Sequence, residues 1–85
     1  MKVIIVYRSA SEYGRAVEEY LRDFSRRTSG TIETLDPDSL EGASLCRTYD
    51  IVEYPTVVAL SDDGQMQSSW RGLPLPTISE LSYYT

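Results

Sequence analysis

Residues 2–24 read KVIIVYRSASEYGRAVEEYLRDF, and this stretch indicates the fold class. Its first part, Val3 to Tyr7, is a continuous apolar run, which predicts a strand covered on both faces. Ser9 and Glu12 follow with the three-residue spacing of a capping box, so we expect a helix to begin there with Ser9 as its N-cap. Beyond them, apolar residues recur at helical spacing and define an inward face, at Tyr13, Ala16, Val17, Tyr20, Leu21 and Phe24.

The segments that follow repeat this alternation of strand and helix. Thr31 to Leu35 predicts a second strand parallel to the first, because a strand, a helix and a strand within about 35 residues form a right-handed crossover. A turn-rich segment then leads into a second helix, with Asp38 and Glu41 as its expected capping box. Leu45 and Tyr49 mark the inward face of that helix.

The last third of the chain predicts a hairpin and a short helix. Thr56 to Leu60 is a third strand, Asp62-Asp63-Gly64 is a hairpin signal, and Gln65 to Trp70 is the returning antiparallel strand. Pro76 suits the first position of a final helix with Ile78, Leu81 and Tyr84 facing inward. The order is βαβαββα. We therefore expect an α/β fold, a four-stranded mixed sheet flanked by three helices, in one domain over residues 1–85.

Composition and charge exclude several classes of function. Eight basic and thirteen acidic residues give a net charge of −5, which disfavours binding to nucleic acid or to an anionic membrane. No histidine is present, so a histidine general base and a Ser-His-Asp triad are excluded. Cys46 is the single cysteine, and it permits no intrachain disulfide and no CxxC pair. The N-terminal apolar run is too short for a signal peptide or a membrane span, so we expect a cytoplasmic protein.

Three pieces of the sequence resemble the thioredoxin and glutaredoxin superfamily. The first is the strand at residues 2–7 followed by Ser11-Glu12-Tyr13-Gly14 and an amphipathic helix. The second is LCRTYDIVEYPT at residues 45–56, similar to the thioredoxin segment that leads from a helix through Pro-Thr into a strand. The third is Asp63-Gly64 followed by Trp70-Arg71-Gly72, similar to the family's hairpin and the glycine after it. Their order and spacing imply a thioredoxin-like fold over nearly the whole chain.

The resemblance implies a site around Pro55. Pro55 takes the place of the family's cis-proline, and the backbone of the residue before it, here Tyr54, pairs in relatives with an extended peptide or with glutathione. The alternative interpretation is that Pro55 only starts the third strand, where proline is tolerated. The positions of the two catalytic cysteines are occupied by Ser11 and Gly14. Because disulfide exchange needs a thiolate, we expect no dithiol oxidoreductase activity and, more generally, a protein that is not an enzyme.

Two hypotheses about function follow from these residues. The first is a module that binds a protein or peptide through Tyr13, Tyr54, Pro55 and Thr56, since exposed aromatic rings suit protein recognition. The second is a glutathione- or thiol-linked protein that uses Ser11 or Cys46. Against the second, Ser11 also fits a role at the helix start, and a free cysteine is usually a buried packing residue.

No metal or cofactor is expected from the sequence. Asp36, Asp38 and Glu41 form one acidic group, and Asp62 with Asp63 forms another. Neither group has the 12-residue ligand pattern of a calcium loop. Roles in turns and helix caps account for all five carboxylates.

Overall fold

A computed structural model describes residues 1–85, and its elements follow the predicted order βαβαββα. The elements are β1 (Lys2–Val6), α1 (Gly14–Arg27), β2 (Glu33–Leu35), α2 (Leu40–Tyr49), β3 (Thr56–Leu60), β4 (Met66–Arg71) and α3 (Ile78–Ser82). None of the three helices has the length and apolar character that crossing a bilayer requires.

The four strands form one mixed sheet in the order β2-β1-β3-β4. β2 runs parallel to β1, whereas β3 is antiparallel to both β1 and β4. β1 and β3 occupy the centre of the sheet, and every residue of β3 is buried. This arrangement agrees with the predicted mixed sheet, and the continuous apolar runs of β1 and β3 account for their central position.

Side chains alternate along β1 and supply a core on each face of the sheet. Val3 and Ile5 point to the face covered by α1 and α3, where Phe24 and Leu81 complete the first core. The intervening residues of β1 point to the opposite face, where residues of α2 pack against them. The three helices therefore flank the sheet, two on one face and one on the other.

The start of α1 differs from the sequence prediction. The helix begins at Gly14, with Tyr13 as N-cap and no capping side chain, so the expectation of Ser9 as N-cap was wrong. The residues between β1 and α1 form turns instead, because Gly14 packs against the backbone of Ser9. A Cβ atom at Gly14 would lie 2.2 Å from the Ser9 carbonyl oxygen. Ala16 is exposed, not inward-facing.

The other two helix starts also lie later than predicted. In α2 the N-cap is Ser39, whose hydroxyl accepts a hydrogen bond from Gly42 N, whereas the Asp38 carboxylate binds an arginine and is not available as a cap. In α3 the N-cap is Thr77, which forms a complete capping box with Glu80. Pro76 therefore precedes the helix and does not occupy its first position, because the adjacent threonine supplies the hydroxyl.

Candidate functional site

The loop that contains Pro55 is closed by two hydrogen bonds. The Tyr54–Pro55 peptide bond is cis, and Pro55 and Thr56 are both buried. The Thr56 hydroxyl donates to the carbonyl oxygen of Glu53 at 2.6 Å, and the backbone N–H of Gly72 donates to the Pro55 carbonyl at 2.8 Å. The second bond brings the loop after β4 alongside the loop before β3.

Arg8 connects this loop to the turns that precede α1 and α2. Its guanidinium donates two hydrogen bonds to Asp38, from Nε at 3.0 Å and from Nη2 at 3.1 Å. Its Cζ atom also lies 4.9 Å from the centre of the Tyr54 ring, a cation–π geometry. The hydrogen bonds from Arg8 lower the pKa of the Asp38 carboxyl and raise the pKa of Arg8 itself. Three separate segments thus meet at one arginine.

The Tyr54 ring is held from its other end by Cys46. The phenol hydroxyl of Tyr54 donates to Cys46 Sγ at 3.9 Å. Partial burial raises the pKa of Tyr54, and the hydrogen bond to Cys46 adds to this effect. Cys46 is half-buried on α2 and packs against the core on that face of the sheet. Its surroundings correspond to the packing role and add a contact with Tyr54.

The four residues that the sequence resemblance aligns with a CxxC motif, Ser11 to Gly14, have different environments. The Ser11 hydroxyl donates to the Arg8 carbonyl at 2.5 Å, so it does not cap the helix. Glu12 is exposed, Tyr13 is half-buried against the core beneath α1, and Gly14 is buried. Through Arg8, the turn at Ser11 is connected to the Tyr54 side chain.

Arg8, Val52 and Leu73 belong to this region and were not predicted as site residues. Val52 is 74% exposed and Leu73 is 57% exposed, each as a large apolar side chain in a loop beside Pro55. No periodic pattern marks them, because all three lie outside helices and strands. The position of Leu73 directly before Pro74, where regular structure is disfavoured, was the only available signal.

The backbone of Tyr54 has free hydrogen-bonding groups. Neither its N–H nor its C=O forms a hydrogen bond within the chain, although its neighbours Glu53 and Pro55 both accept one through their carbonyl oxygens. Backbone groups in a folded protein are nearly always paired with protein or with water. The Tyr54 peptide groups are therefore accessible to solvent or to another polypeptide.

The acidic residues have structural partners. Asp36 accepts a hydrogen bond from the backbone N–H of Asp38, Asp62 binds the N-terminal amine at 2.7 Å, and Asp63 accepts from the Ser61 hydroxyl. The bond from Ser61 lowers the pKa of Asp63. No group of three or more acidic, cysteine or histidine side chains converges on a common point in the structure.

Comparison with known proteins supports the fold assignment. No protein-family model matches the chain, and a search of curated proteins found no match. Among solved structures, thioredoxin 1 from the thermophilic eubacterium Thermosipho africanus superposes with a TM-score of 0.67 at 18% sequence identity. The match covers 99% of this chain and 89% of that chain. The fold is thioredoxin-like. The predicted fold class is thereby confirmed, and at this level of identity the likeness concerns the fold alone.

Proposed function

We propose that this thioredoxin-like chain is a binding module without dithiol redox activity, which receives an extended segment of a protein partner beside Pro55. The observation that carries the proposal is the state of Tyr54. Its backbone N–H and C=O have no partner within the chain, while its side chain is held by Arg8 and Cys46. A residue held in this way presents a pair of free backbone groups at a defined position.

The surroundings of Tyr54 suit the addition of an extended segment. A partner residue can form two backbone hydrogen bonds with Tyr54, as in one pair of an antiparallel ladder, and thereby use the β-strand mode of peptide recognition. The side chains of Val52 and Leu73 are exposed on the two neighbouring loops. They provide apolar contacts for the side chains that flank the paired residue.

The single cysteine supports the absence of redox activity. Dithiol exchange needs one thiolate to attack and a second thiol to resolve the mixed disulfide. Ser11 and Gly14 supply neither, and Cys46 is half-buried on α2. One unpaired cysteine also suits a reducing compartment such as the cytoplasm. Insulin reduction by the isolated chain with dithiothreitol should proceed at the uncatalysed rate, and measurable turnover would contradict the proposal.

The structure does not favour the glutathione-linked alternative. The Ser11 hydroxyl is engaged by the Arg8 carbonyl, and the Cys46 sulfur accepts a hydrogen bond from Tyr54. We expect no change in the amide NMR spectrum when glutathione is added. A Cys46→Ala variant should largely retain partner binding, because Arg8 still holds the Tyr54 ring and the thiol itself forms no bond with the partner.

Selection from a random peptide library tests the binding site directly. The folded chain is immobilised and used to select seven-residue peptides by display, and an enriched peptide is then titrated into the ¹⁵N-labelled protein. We expect the largest amide shifts at residues 52–56 and 72–73, with smaller shifts at Tyr13. Failure to enrich any peptide over repeated rounds would contradict the proposal.

Two exposed leucines provide a matched pair of variants for the same titration. The groove is the surface formed by residues 52–56 and 72–73. Leu73→Asp should weaken binding of the enriched peptide at least about tenfold, because it replaces an apolar contact in this groove with a charge. Leu40→Asp should leave affinity unchanged, since Leu40, although 91% exposed, is the first residue of α2 and belongs to neither of the two loops beside Pro55. A loss of binding in Leu40→Asp, with none in Leu73→Asp, would place the binding surface on α2.

A further inference from the structure

Glu53 places an unpaired carboxylate at the proposed groove. It immediately precedes Tyr54, it is exposed, and its carboxylate takes part in no ion pair or side-chain hydrogen bond of the chain. A Cβ atom built at Gly72 would lie 3.3 Å from Glu53 Oε2. The carboxylate is therefore located where the loop before β3 meets the loop after β4.

The nearest arginines of the site are already engaged elsewhere. Arg8 forms its two hydrogen bonds with Asp38 and lies over the Tyr54 ring. Arg71 precedes Gly72, but its Nη1 donates to the carbonyl oxygen of Asp50 at 2.9 Å. The negative charge of Glu53 is thus left without a cationic partner beside Tyr54, whose backbone N–H and C=O form no hydrogen bond within the chain.

We infer that the segment bound beside Pro55 carries a lysine or arginine next to the residue that pairs with Tyr54, together with an apolar side chain that contacts Leu73. This inference rests on the proposed function. In an antiparallel pair, the residue before one member of a paired position faces the residue after the other, so a neighbour of the paired residue meets Glu53. Charge complementarity at this position selects among partners, and the net charge of −5 also attracts a basic segment.

The selected peptides give the first test. Sequences enriched on the immobilised chain should show lysine or arginine beside an apolar residue, relative to the unselected library. One enriched peptide is then synthesised with its cationic residue kept, replaced by glutamine, or replaced by glutamate. We expect affinity to fall about two- to fivefold with glutamine, as for an exposed ion pair, and further with glutamate. Equal affinity for all three forms would overturn the inference.

Variants of Glu53 test the same contact from the protein side. Glu53→Gln should weaken the cationic peptide about two- to fivefold at low salt, and the difference should shrink toward zero near 1 M salt. Glu53→Lys should reverse the preference and bind the glutamate form better than the lysine form. Asp23→Asn is the matched control, since it removes one negative charge from the far part of α1 and should change no affinity.

The outcomes separate this inference from the function on which it rests. If peptides are enriched and shift the Tyr54 region, but show no cationic preference and bind Glu53→Gln equally well, the charge preference is wrong and the groove proposal stands. If no peptide is enriched at all, the groove proposal itself fails. Circular dichroism of Glu53→Gln verifies folding, and the Thr56 hydrogen bond uses only the backbone carbonyl of residue 53.

Discussion

The starts of α1 and α3 differ in how their free backbone N–H groups are satisfied. α3 begins with a complete capping box, in which Thr77 accepts from the N–H of Glu80 and the Glu80 side chain accepts from the N–H of Thr77. α1 begins at Gly14 without any capping side chain. α2 resembles α3, because Ser39 caps it. Of the three helices, only α1, whose preceding turn contains Arg8, has no capping side chain.

This difference indicates how the chain stabilises each region. The first N–H groups of a helix lack intrahelical partners, and a capping side chain is the usual way to satisfy one of them. At α1 the preceding turn takes that place: the N–H of Gly14 donates to the Ser11 carbonyl at 3.2 Å, and the N–H and hydroxyl of Ser11 donate to the Arg8 carbonyl. The start of α1 is thus held by its preceding turn, and α2 and α3 are held by their own caps.

The largest expected effect on stability comes from replacing Gly14 or Gly42 by alanine, because both glycines, at the starts of α1 and α2, pack closely against backbone atoms. A Cβ atom would lie 2.2 Å from a backbone oxygen at Gly14, and 1.8 Å from the Asp36 oxygen at Gly42. We expect Gly14→Ala and Gly42→Ala each to lower the free energy of unfolding by about 3 kcal/mol, as for an overpacked site. Urea denaturation measures the effect, which should be greater at Gly42.

Helix propensity alone would predict that these glycine-to-alanine substitutions stabilise the protein, the opposite of the expected loss. Alanine is favoured over glycine by about 1 kcal/mol in a helix interior, so a stabilised Gly42→Ala variant would show that the contact with Asp36 relaxes freely. Ser44→Ala is the control within α2, because this exposed position should change stability by less than about 0.5 kcal/mol.

Removal of capping hydroxyls tests the difference between α1 and the other helices. Thr77→Ala and Ser39→Ala should each cost about 1 kcal/mol of unfolding free energy, the typical loss for a helix cap. Ser9→Ala, at the position that the sequence predicted as a cap, should cost less than about 0.5 kcal/mol. A loss at Ser9 equal to that at Thr77 would mean that α1 is capped in solution by the residue that the sequence pattern indicated.

The fold was predictable from the sequence because its strongest signals are long-range apolar patterns. The runs at β1 and β3 and the periodic face of α1 follow from burial, and they gave the correct element order and sheet. The helix starts were less predictable, since several serine, threonine and aspartate residues near each start offer similar caps. The choice among them depends on tertiary contacts, such as the pairing of Asp38 with Arg8.

The candidate site was predictable only where it touches a recognisable motif. Tyr54, Pro55 and Thr56 belong to the stretch that resembles thioredoxins, so their prominence followed from that likeness. Arg8 lies outside that stretch, and Glu53 lies within it without being singled out, because the role of Arg8 arises from contacts with residues distant in the chain and that of Glu53 from the lack of any partner. Charge pairing of this kind is a property of the folded surface and leaves no pattern in a single sequence.

Tyr20 lies in the middle of α1, so its substitution tests how the interior of this helix contributes to stability. The Tyr20 hydroxyl is buried without a hydrogen-bond partner, and burial, with a smaller effect of Glu80, raises its pKa from 10.0 to about 12. Tyr20→Phe removes this unsatisfied group and should stabilise the protein by up to about 1 kcal/mol. Thermal unfolding measures the change, with Tyr83→Phe, on an exposed ring, as control.

Tyr20 contributes to the pH dependence of folding stability with a definite sign. A pKa raised in the folded state means that the fold favours the neutral phenol, so this contribution to stability is complete below pH 10 and is lost as the pH rises through about 12. The wild type should therefore lose stability between these values more steeply than Tyr20→Phe. Parallel alkaline stability curves for the two proteins would show that the hydroxyl is solvated.

The smallest expected effect on stability comes from the Arg8–Asp38 pair. Its hydrogen bonds join the turn before α1, which has no capping side chain, to the turn before α2. Because Arg8 lowers the pKa of Asp38 below its ordinary 3.8, the pair's contribution to stability is present above pH 3.8 and is lost as the pH falls through the lower folded value. Arg8→Gln should return the Asp38 titration toward 3.8, which carboxyl-detected NMR measures directly. It should also shift the Tyr54 ring resonances, because the guanidinium above that ring is removed.

One outcome would separate these two contacts of Arg8. If the Asp38 titration moves while the Tyr54 resonances do not, the starts of α1 and α2 are coupled to each other but not to the loop of Pro55. Arg8 would then have no part in positioning the groove.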